Sequence, residues 1–98
     1  MLASPLYRFA AFVIAGAPDD PGVYALWDRD ELIYIGRAGG DQTTIQCMLM
    51  AHFHGRIEPV SATHYSWELA RDPVAREVEL LRKYQAQHKR LPRANGAA

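Results

Sequence analysis

The residues best suited to chemistry in this 98-residue chain are two tyrosines, a histidine and a glutamate. The tyrosines lie in two short segments, Gly22-Val23-Tyr24 and Tyr34-Ile35-Gly36, whose composition is typical of two strands of one hairpin. Two phenols side by side on one sheet face form a candidate site, and a core-facing carboxylate can bind a metal ion. The rest of the chain must therefore be examined for elements that bring such groups together.

The hairpin has apolar residues on alternate positions, which predicts one core-facing side for each strand. We assign to those core faces Val23, Ala25 and Trp27 of the first strand and Ile33 and Ile35 of the second. Tyr24 and Tyr34 then share the opposite face, provided that the loop drawn from residues 28–31 has an odd number of residues. The alternative is a hairpin whose tyrosines only cover a sheet edge.

The strongest argument from periodicity concerns a helix that Asp72-Pro73 starts and that runs to about His88. Glu77 falls in the middle of its apolar arc, which consists of Val74, Val78, Leu80, Leu81 and Tyr84. Glu79 lies on the far side, where a carboxylate is solvated. Because burying an unpaired charge costs several kcal/mol, Glu77 needs a cationic partner, a metal ion or a cleft open to water. A salt bridge to a neighbouring helix and metal ligation both remain open.

A second helix carries a histidine on its inward face. Thr44 is a suitable cap, the helix runs to about His54, and its inward residues are Ile45, Met48, Leu49, His52 and Phe53. His52 is either a satisfied core residue or a catalytic one, whereas His54 points to solvent. Cys47 and Met50 face outward and form an apolar patch that is a candidate partner surface. A strand over residues 63–70 lies between the two helices.

Composition limits the possible classes of protein. The length predicts one small domain, which we divide into an N-terminal segment over residues 1–20, the domain proper over 21–95 and a tail over 96–98. The lone Cys47 excludes an internal disulfide and favours a cytoplasmic protein. A formal net charge of zero means that any nucleic acid must be held by a local basic patch. No stretch is long enough to span a membrane.

The amino end permits two interpretations. Arg8, an apolar run and the small residues 15–17 resemble a weak signal peptide. The charged region is thin and the apolar run is short, which favours an amphipathic segment that packs Tyr7, Phe12 and Val13 on the core.

Taken in order along the chain, these marks resemble the GIY-YIG nuclease family. They are the Gly22-Val23-Tyr24 and Tyr34-Ile35-Gly36 segments, Glu77 with Leu80-Leu81, and Pro92-Arg93-Ala94-Asn95, which together cover roughly residues 21–95. The resemblance implies an α+β fold with a three-stranded antiparallel sheet flanked by helices. It also implies hydrolysis of a phosphodiester with a single divalent cation, Mg²⁺ or Mn²⁺.

The resemblance assigns a role to each residue that matches a motif. Tyr24 matches the tyrosine that helps to activate the attacking water, and Tyr34 the one that orders the water and the scissile phosphate. Glu77 matches the metal-binding glutamate. Asn95 matches the terminal asparagine, which we expect to tie the tail back by hydrogen bonds near the site. His52 falls where many members carry a histidine or tyrosine, one helical turn after an arginine.

That arginine is missing, since this chain has Met48 at the corresponding helix position. Methionine cannot donate a hydrogen bond to phosphate, and loss of a comparable donor costs roughly 10²- to 10³-fold in rate. Arg37, directly after Tyr34-Ile35-Gly36, and Arg56, beyond the helix end, are the possible substitutes.

Two functions remain open. The first is a metal-dependent endonuclease acting on DNA through a basic patch of Arg76, Lys83, Lys89, Arg90 and Arg93. The second is a catalytically impaired domain that binds nucleic acid, a protein partner or a second copy of itself, with the Cys47 and Met50 face as a candidate surface.

Overall fold

The computed structural model describes residues 4–40, 43–59 and 61–95, so the 96–98 tail lies outside the described residues. Its elements, in chain order, are β1 (Tyr7–Arg8), α1 (Ala11–Ile14), β2 (Gly22–Asp28), β3 (Glu31–Ala38), α2 (Ile45–Phe53), β4 (His64–Leu69) and α3 (Pro73–His88). The four strands form one antiparallel sheet in the order β1-β4-β2-β3. The predicted α+β class is confirmed.

The sheet has four strands where three were expected, because a short strand from the amino end joins it. In β1, Tyr7 pairs with Tyr65 and Arg8 with His64. A strand of two residues is too short to produce an alternating pattern, so the sequence carried no signal for it. Tyr7 also packs its ring against that of Tyr65, with 5.5 Å between the ring centroids.

The amino-terminal segment packs on the domain, although not through all the expected residues. Tyr7 and Val13 lie against the core as predicted, and Ile14 is fully buried. The prediction for Phe12 was wrong, since its side chain is 90% exposed. The reason is that α1 is only one turn long, so its inward side is taken by Val13 and Ile14.

Both faces of the sheet are packed, whereas the hairpin pattern predicted a core on one face only. The larger cluster lies on the side of Tyr24 and Leu26, and α1 and α2 cover it with Ile14, Ile45 and Leu49. The second cluster lies on the side of Val23, Ala25 and Ile35, and α3 covers it with Leu80 and Tyr84. Tyr24 is therefore itself a core residue, with no exposed surface.

A β-bulge decides which face Tyr34 occupies. Arg29 and Asp30 form a two-residue turn, so the expected odd-length loop was wrong. An uninterrupted ladder from such a turn would place Tyr34 opposite Ala25, on the wrong face. The register shifts by one residue at Ile33, so that Leu26 pairs with Tyr34. The shift also moves Ile33 into the cluster that contains Tyr24, which corrects its predicted place beside Ile35.

The helix boundaries follow from their caps. The Thr44 hydroxyl accepts a hydrogen bond from the Cys47 amide, and α2 is followed by Gly55 at a φ of 76°. The Asp72 carboxylate caps α3 through the Ala75 amide at 3.1 Å, with Pro73 in the first turn. None of the helices in the described ranges has the length and hydropathy needed to cross a bilayer.

Four residues of α2 and α3 differ from their predicted burial, and one of them is Phe53, which was expected to face inward but is 37% exposed. Val74 and Val78 of α3 are 52% and 39% exposed, because the sheet reaches only the Leu80 and Tyr84 side of the arc. Met50 of α2 was expected to face outward but is half-buried against the larger cluster. The proposed Cys47 and Met50 surface therefore reduces to the exposed Cys47.

Candidate active site

The centre of the site is a buried pair formed by Tyr24 and His52. β2 places the Tyr24 ring on the face covered by α2, and α2 points His52 into the same space. The Tyr24 hydroxyl lies 2.7 Å from His52 Nε2, and both side chains are fully buried. His52 is thus a satisfied core histidine and a neighbour of a candidate catalytic group at once.

The hydrogen-bond partners define the direction of this contact. His52 Nδ1 lies 3.0 Å from the carbonyl oxygen of Pro59, which can only accept, so Nδ1 carries the proton. Nε2 of the neutral ring must then accept from the Tyr24 hydroxyl. Burial lowers the pKa of His52, which keeps the ring neutral. Burial, reinforced by the nearby Tyr34 and Glu77, raises the pKa of Tyr24 and keeps its phenol protonated.

Tyr34 completes an aromatic cluster at the border of this core. Its ring centroid lies 6.2 Å from that of Tyr24 and 5.2 Å from that of His52. The expectation that the two tyrosines share a face is confirmed. Tyr34 is only half-buried, and burial together with the negative charge of Glu77 raises its pKa.

Gly36 provides the space for the two rings. A Cβ at this position would lie 2.7 Å from Tyr24 Cζ and Oη and 2.8 Å from Tyr34 Cε2, closer than van der Waals contact permits. Gly36 pairs directly with Tyr24 across the hairpin. The glycine of the Tyr34-Ile35-Gly36 segment is therefore explained by close packing of a phenol against the backbone.

Glu77 reaches the same site from the other side of the sheet. α3 packs on the sheet face opposite to α2. Because β3 is an edge strand, the Glu77 side chain can extend around that edge to the cleft. The Glu77 side chain is 15% exposed, and Arg37 Nη1 donates to its Oε1 at 2.7 Å. The cationic partner is thus an arginine of β3, not of a neighbouring helix as one interpretation held.

These side chains line one cleft of about 330 Å³, and its walls are Tyr24, Tyr34, Arg37, Gly39, Thr43, Met48 and Glu77. Met48 stands in this wall, as its alignment with the missing arginine predicted. Arg37 is the one cation among the described lining residues. Arg56 is exposed beyond α2 and is not among them.

The donor set around Glu77 restricts the kind of metal site the cleft can offer. No cluster of three or more His, Cys, Asp or Glu side chains suited to a metal ion occurs in residues 4–40, 43–59 and 61–95. A single carboxylate fits Mg²⁺ or Mn²⁺, which keep several waters and share substrate phosphate oxygens, and does not fit a closed zinc site. Glu77 can therefore supply one protein ligand to a hard cation.

Comparison with known proteins tests the fold that carries this site. No protein-family model and no curated protein matches the chain. A crystal structure does match: the GIY-YIG N-terminal endonuclease domain of UvrC from Thermotoga maritima, bound to its catalytic divalent cation, magnesium. The two are 26% identical over 74% of this chain and 85% of that chain, with a TM-score of 0.60. The chain is a GIY-YIG fold member.

Two further crystal structures of the same Thermotoga maritima domain support this assignment. One carries an asparagine-to-alanine change and the other a tyrosine-to-phenylalanine change, and both are bound to the catalytic divalent cation. Each is 26% identical to this chain and covers 74% of it and 84% of its own length, with TM-scores of 0.60 and 0.59.

In this structure, Asn95 holds the edge strand and does not line the cleft. Its Oδ1 accepts from the Ile35 amide at 2.8 Å, and its Nδ2 donates to the Ile35 carbonyl at 2.9 Å. The hydrogen bonds that were expected to tie Asn95 back near the site are therefore present. Both ends of the amide are used by the Ile35 backbone, so Asn95 fixes the strand between Tyr34 and Gly36.

The predicted basic patch is largely neutralised by carboxylates. Arg76 is bidentate to Glu68 and also pairs with Glu79, and Arg93 bridges Asp28 and Glu31 at 3.0 and 2.9 Å. Arg90 lies within 4.0 Å of Glu31. The arginines of the predicted patch therefore form ion pairs within the domain. Its two lysines, Lys83 and Lys89, are exposed.

Two parts of this candidate site were missed by sequence reasoning. The Pro59 carbonyl that fixes the His52 tautomer is a backbone group in a loop, so no residue type announces it. Thr43, whose hydroxyl donates to the Gly39 carbonyl in the cleft wall, stands in a loop without periodicity.

Proposed function

We propose that this protein is a divalent-metal-dependent endonuclease that hydrolyses phosphodiester bonds in DNA. The observation that carries the proposal is the convergence of Tyr24, Tyr34, Arg37 and Glu77 on one cleft, from two strands and a helix. The similarity to a GIY-YIG endonuclease domain bound to magnesium supports the same chemistry.

Proton transfer in this mechanism starts at the buried pair. The Tyr24 hydroxyl points its proton at His52 Nε2, which leaves the oxygen lone pairs directed away from the imidazole. Tyr24 forms part of the cleft wall but is fully buried, so the step requires the wall to open enough for one water molecule to reach that oxygen and donate to it. As the water attacks phosphorus, its proton passes to the Tyr24 oxygen while the Tyr24 proton passes to His52. The neutral ring required for this step is the form that burial favours.

The other groups act on the phosphate. Tyr34, half-buried at the cleft, orders the water and the scissile group. Glu77 would hold Mg²⁺ or Mn²⁺, which supplies Lewis-acid stabilisation of charge on the phosphate and the leaving oxygen. Asn95 keeps the backbone of Ile35 in place and so fixes the strand that carries Tyr34 and Arg37.

A second function is favoured by one observation, the presence of Met48 in the cleft wall. A thioether at this position offers no hydrogen bond to a phosphate oxygen. The domain would then use the fold to bind nucleic acid or a protein partner without cutting. In either case the exposed Lys83 and Lys89 supply phosphate contacts, and the free Cys47 supports a reducing, cytoplasmic setting.

Nicking of supercoiled plasmid with Mg²⁺ or Mn²⁺ separates the two functions. The proteins to compare are the native chain, Glu77→Ala and Met48→Arg. Metal-dependent nicking that Glu77→Ala abolishes supports the endonuclease. Nicking that appears only in Met48→Arg supports the impaired binding domain. No nicking by any of the three proteins contradicts the enzymatic proposal.

A further inference from the structure

We propose that Arg37 replaces the missing helix arginine as the phosphate clamp, and that it competes with the divalent cation for Glu77. This inference rests on the proposed nuclease function. It assigns two linked states to one side chain: paired with the Glu77 carboxylate, or turned to the substrate phosphate when that carboxylate binds metal.

The ion pair between Arg37 and Glu77 means that a cation bound by Glu77 competes with Arg37 for the same carboxylate. Arg37 Nη1 donates to Glu77 Oε1 at 2.7 Å, and this carboxylate is the acidic group of the described cleft wall. A divalent cation bound by Glu77 stands within a few ångströms of the guanidinium. Like charges at that separation repel, and the repulsion is reduced but not removed by solvent. Arg37 must therefore move or share the carboxylate.

The exposure of the two partners shows which one can move. The Arg37 side chain is 50% exposed, whereas that of Glu77 is 15% exposed. Arginine has a long side chain that can change rotamer at the surface, and Glu77 sits on a 16-residue helix packed on the sheet. The cation-dependent change thus falls on Arg37.

Helix α3 does not need Arg37 to keep its position. Arg76, the neighbour of Glu77, is bidentate to Glu68 of β4 through Nε at 2.6 Å and Nη2 at 3.2 Å. Leu80 and Tyr84 bury the same helix on the sheet. When Arg37 leaves Glu77, these contacts continue to hold the carboxylate at the cleft.

Met48 explains why the released arginine is needed. The resemblance places Met48 where an arginine is expected, and this methionine lies in the wall of the cleft, where its thioether offers a phosphate no hydrogen-bond donor. Arg37 lines the same cleft from β3, and a guanidinium is suited to planar, charge-assisted contacts with phosphate. The phosphate contact then comes from β3, the strand that also carries Tyr34, and not from α2.

The first test measures metal binding without catalysis. Mn²⁺ binding is determined from the loss of free-Mn²⁺ electron paramagnetic resonance signal for the native chain, Arg37→Gln, Arg56→Gln and Glu77→Gln. We expect Arg37→Gln to bind Mn²⁺ about tenfold more tightly, equivalent to ~1.4 kcal/mol. Arg56→Gln, an equal loss of charge outside the cleft, should change the affinity less than twofold. Glu77→Gln should abolish binding.

The second test measures cleavage by the same proteins. Arg37→Gln should lower kcat about 10²-fold despite its tighter metal binding, because the phosphate loses its charged donor. In the double variant Arg37→Gln, Met48→Arg, an arginine returns to the helix position, and kcat should recover at least tenfold. Arg56→Gln should cleave like the native chain.

The results that overturn the inference differ from those that overturn the nuclease. Glu77-dependent Mn²⁺ binding and cleavage, combined with unchanged or weaker Mn²⁺ binding in Arg37→Gln, would show that Arg37 only orients the carboxylate. Unchanged kcat in that variant would exclude the clamp. Absence of Mn²⁺ binding or of cleavage in the native chain would remove the proposed function and the inference together.

Discussion

The two halves of the candidate site differ in almost every physical respect. The half formed by Tyr24 and His52 is fully buried, uncharged and fixed by hydrogen bonds at both ring nitrogens. The half formed by Arg37 and Glu77 is charged, and its arginine is half-exposed at a sheet edge. In the proposed mechanism the first half transfers a proton in a fixed direction, and the second half exchanges ion-pair partners.

This contrast indicates how a small domain can combine precision with adaptability. A proton relay requires fixed donor and acceptor positions, which a packed core provides. A site for a hard cation and a phosphate requires water and mobile charged groups, which only the surface provides. The sheet edge is where both conditions meet.

The largest expected effect comes from breaking the buried half. Tyr24→Phe removes the hydroxyl between water and His52 and should lower kcat by roughly 10²- to 10⁴-fold, measured on plasmid DNA with Mn²⁺. It also leaves His52 Nε2 without a donor, at a cost of about 1–3 kcal/mol in stability.

A matched control for this change is Tyr65→Phe. Tyr65 is also buried, and its hydroxyl donates to the Val13 carbonyl at 3.0 Å, away from the cleft. It should lose comparable stability and keep its cleavage rate. Equal rates in the two variants would contradict the assigned role of Tyr24.

The next effect tests the close packing of the Tyr24 ring, which belongs to the buried half, against the backbone of β3. Gly36→Ala places a methyl group 2.7 Å from the Tyr24 ring, and a buried ring has no room to retreat. The free energy of unfolding should fall by about 1–3 kcal/mol in urea denaturation. Gly16→Ala is the control, since its nearest contact is an ordinary 3.6 Å. A loss no greater than that of the control would contradict the close packing.

A smaller effect is expected where the tail holds the edge strand. Asn95→Asp keeps an acceptor for the Ile35 amide but loses the donor to the Ile35 carbonyl. Stability should fall by about 0.5–1.5 kcal/mol, the usual value of one net hydrogen bond, with a slower cleavage rate because Tyr34 shifts. Urea denaturation and plasmid nicking measure the two quantities, and unchanged stability would exclude the proposed tie.

The smallest effect is the pH dependence of the buried histidine. Burial lowers the folded-state pKa of His52 below the ordinary 6.5, so the unfolded chain binds the proton more readily. The stability contributed by neutral His52 is complete above pH 6.5 and declines as pH falls towards the folded-state pKa. Denaturation between pH 7.5 and about 5 should show this decline.

The variants His52→Gln and His54→Gln isolate that contribution. His54 is exposed at the end of the same helix, so His54→Gln is the matched control for removing a histidine from α2. His52→Gln should flatten the slope below pH 6.5. An equal slope in both variants would show that another group titrates.

Much of the architecture was predictable because local chemistry specifies it. Thr44, Asp72 and Pro73 are cap residues with direct hydrogen-bonding or conformational reasons, and the helices begin where they predict. Glu77 and His52 were noticed because each interrupts an apolar arc. Their proximity to the tyrosines could be inferred only from the resemblance to a family, since nothing local joins residues so far apart in sequence.

The errors share a different cause. Periodicity describes one face of one element, whereas Val74, Val78 and Phe12 are exposed because the partner surface ends before it reaches them. The charge of the predicted basic patch was overestimated, because Arg76 and Arg93 form ion pairs with carboxylates of the strands. Such pairings depend on tertiary contacts that a count of charges does not contain.

The bulge at Ile33 has a consequence for how this hairpin tolerates changes in length. The length of the turn at Arg29 and Asp30 and the extra residue Ile33 together determine which face of the sheet Tyr34 occupies. A change of one residue in either feature alone would turn the Tyr34 side chain to the face opposite Tyr24. Length changes here should succeed only in compensating pairs: a deletion at residue 33 balanced by an insertion between residues 28 and 31, or the reverse.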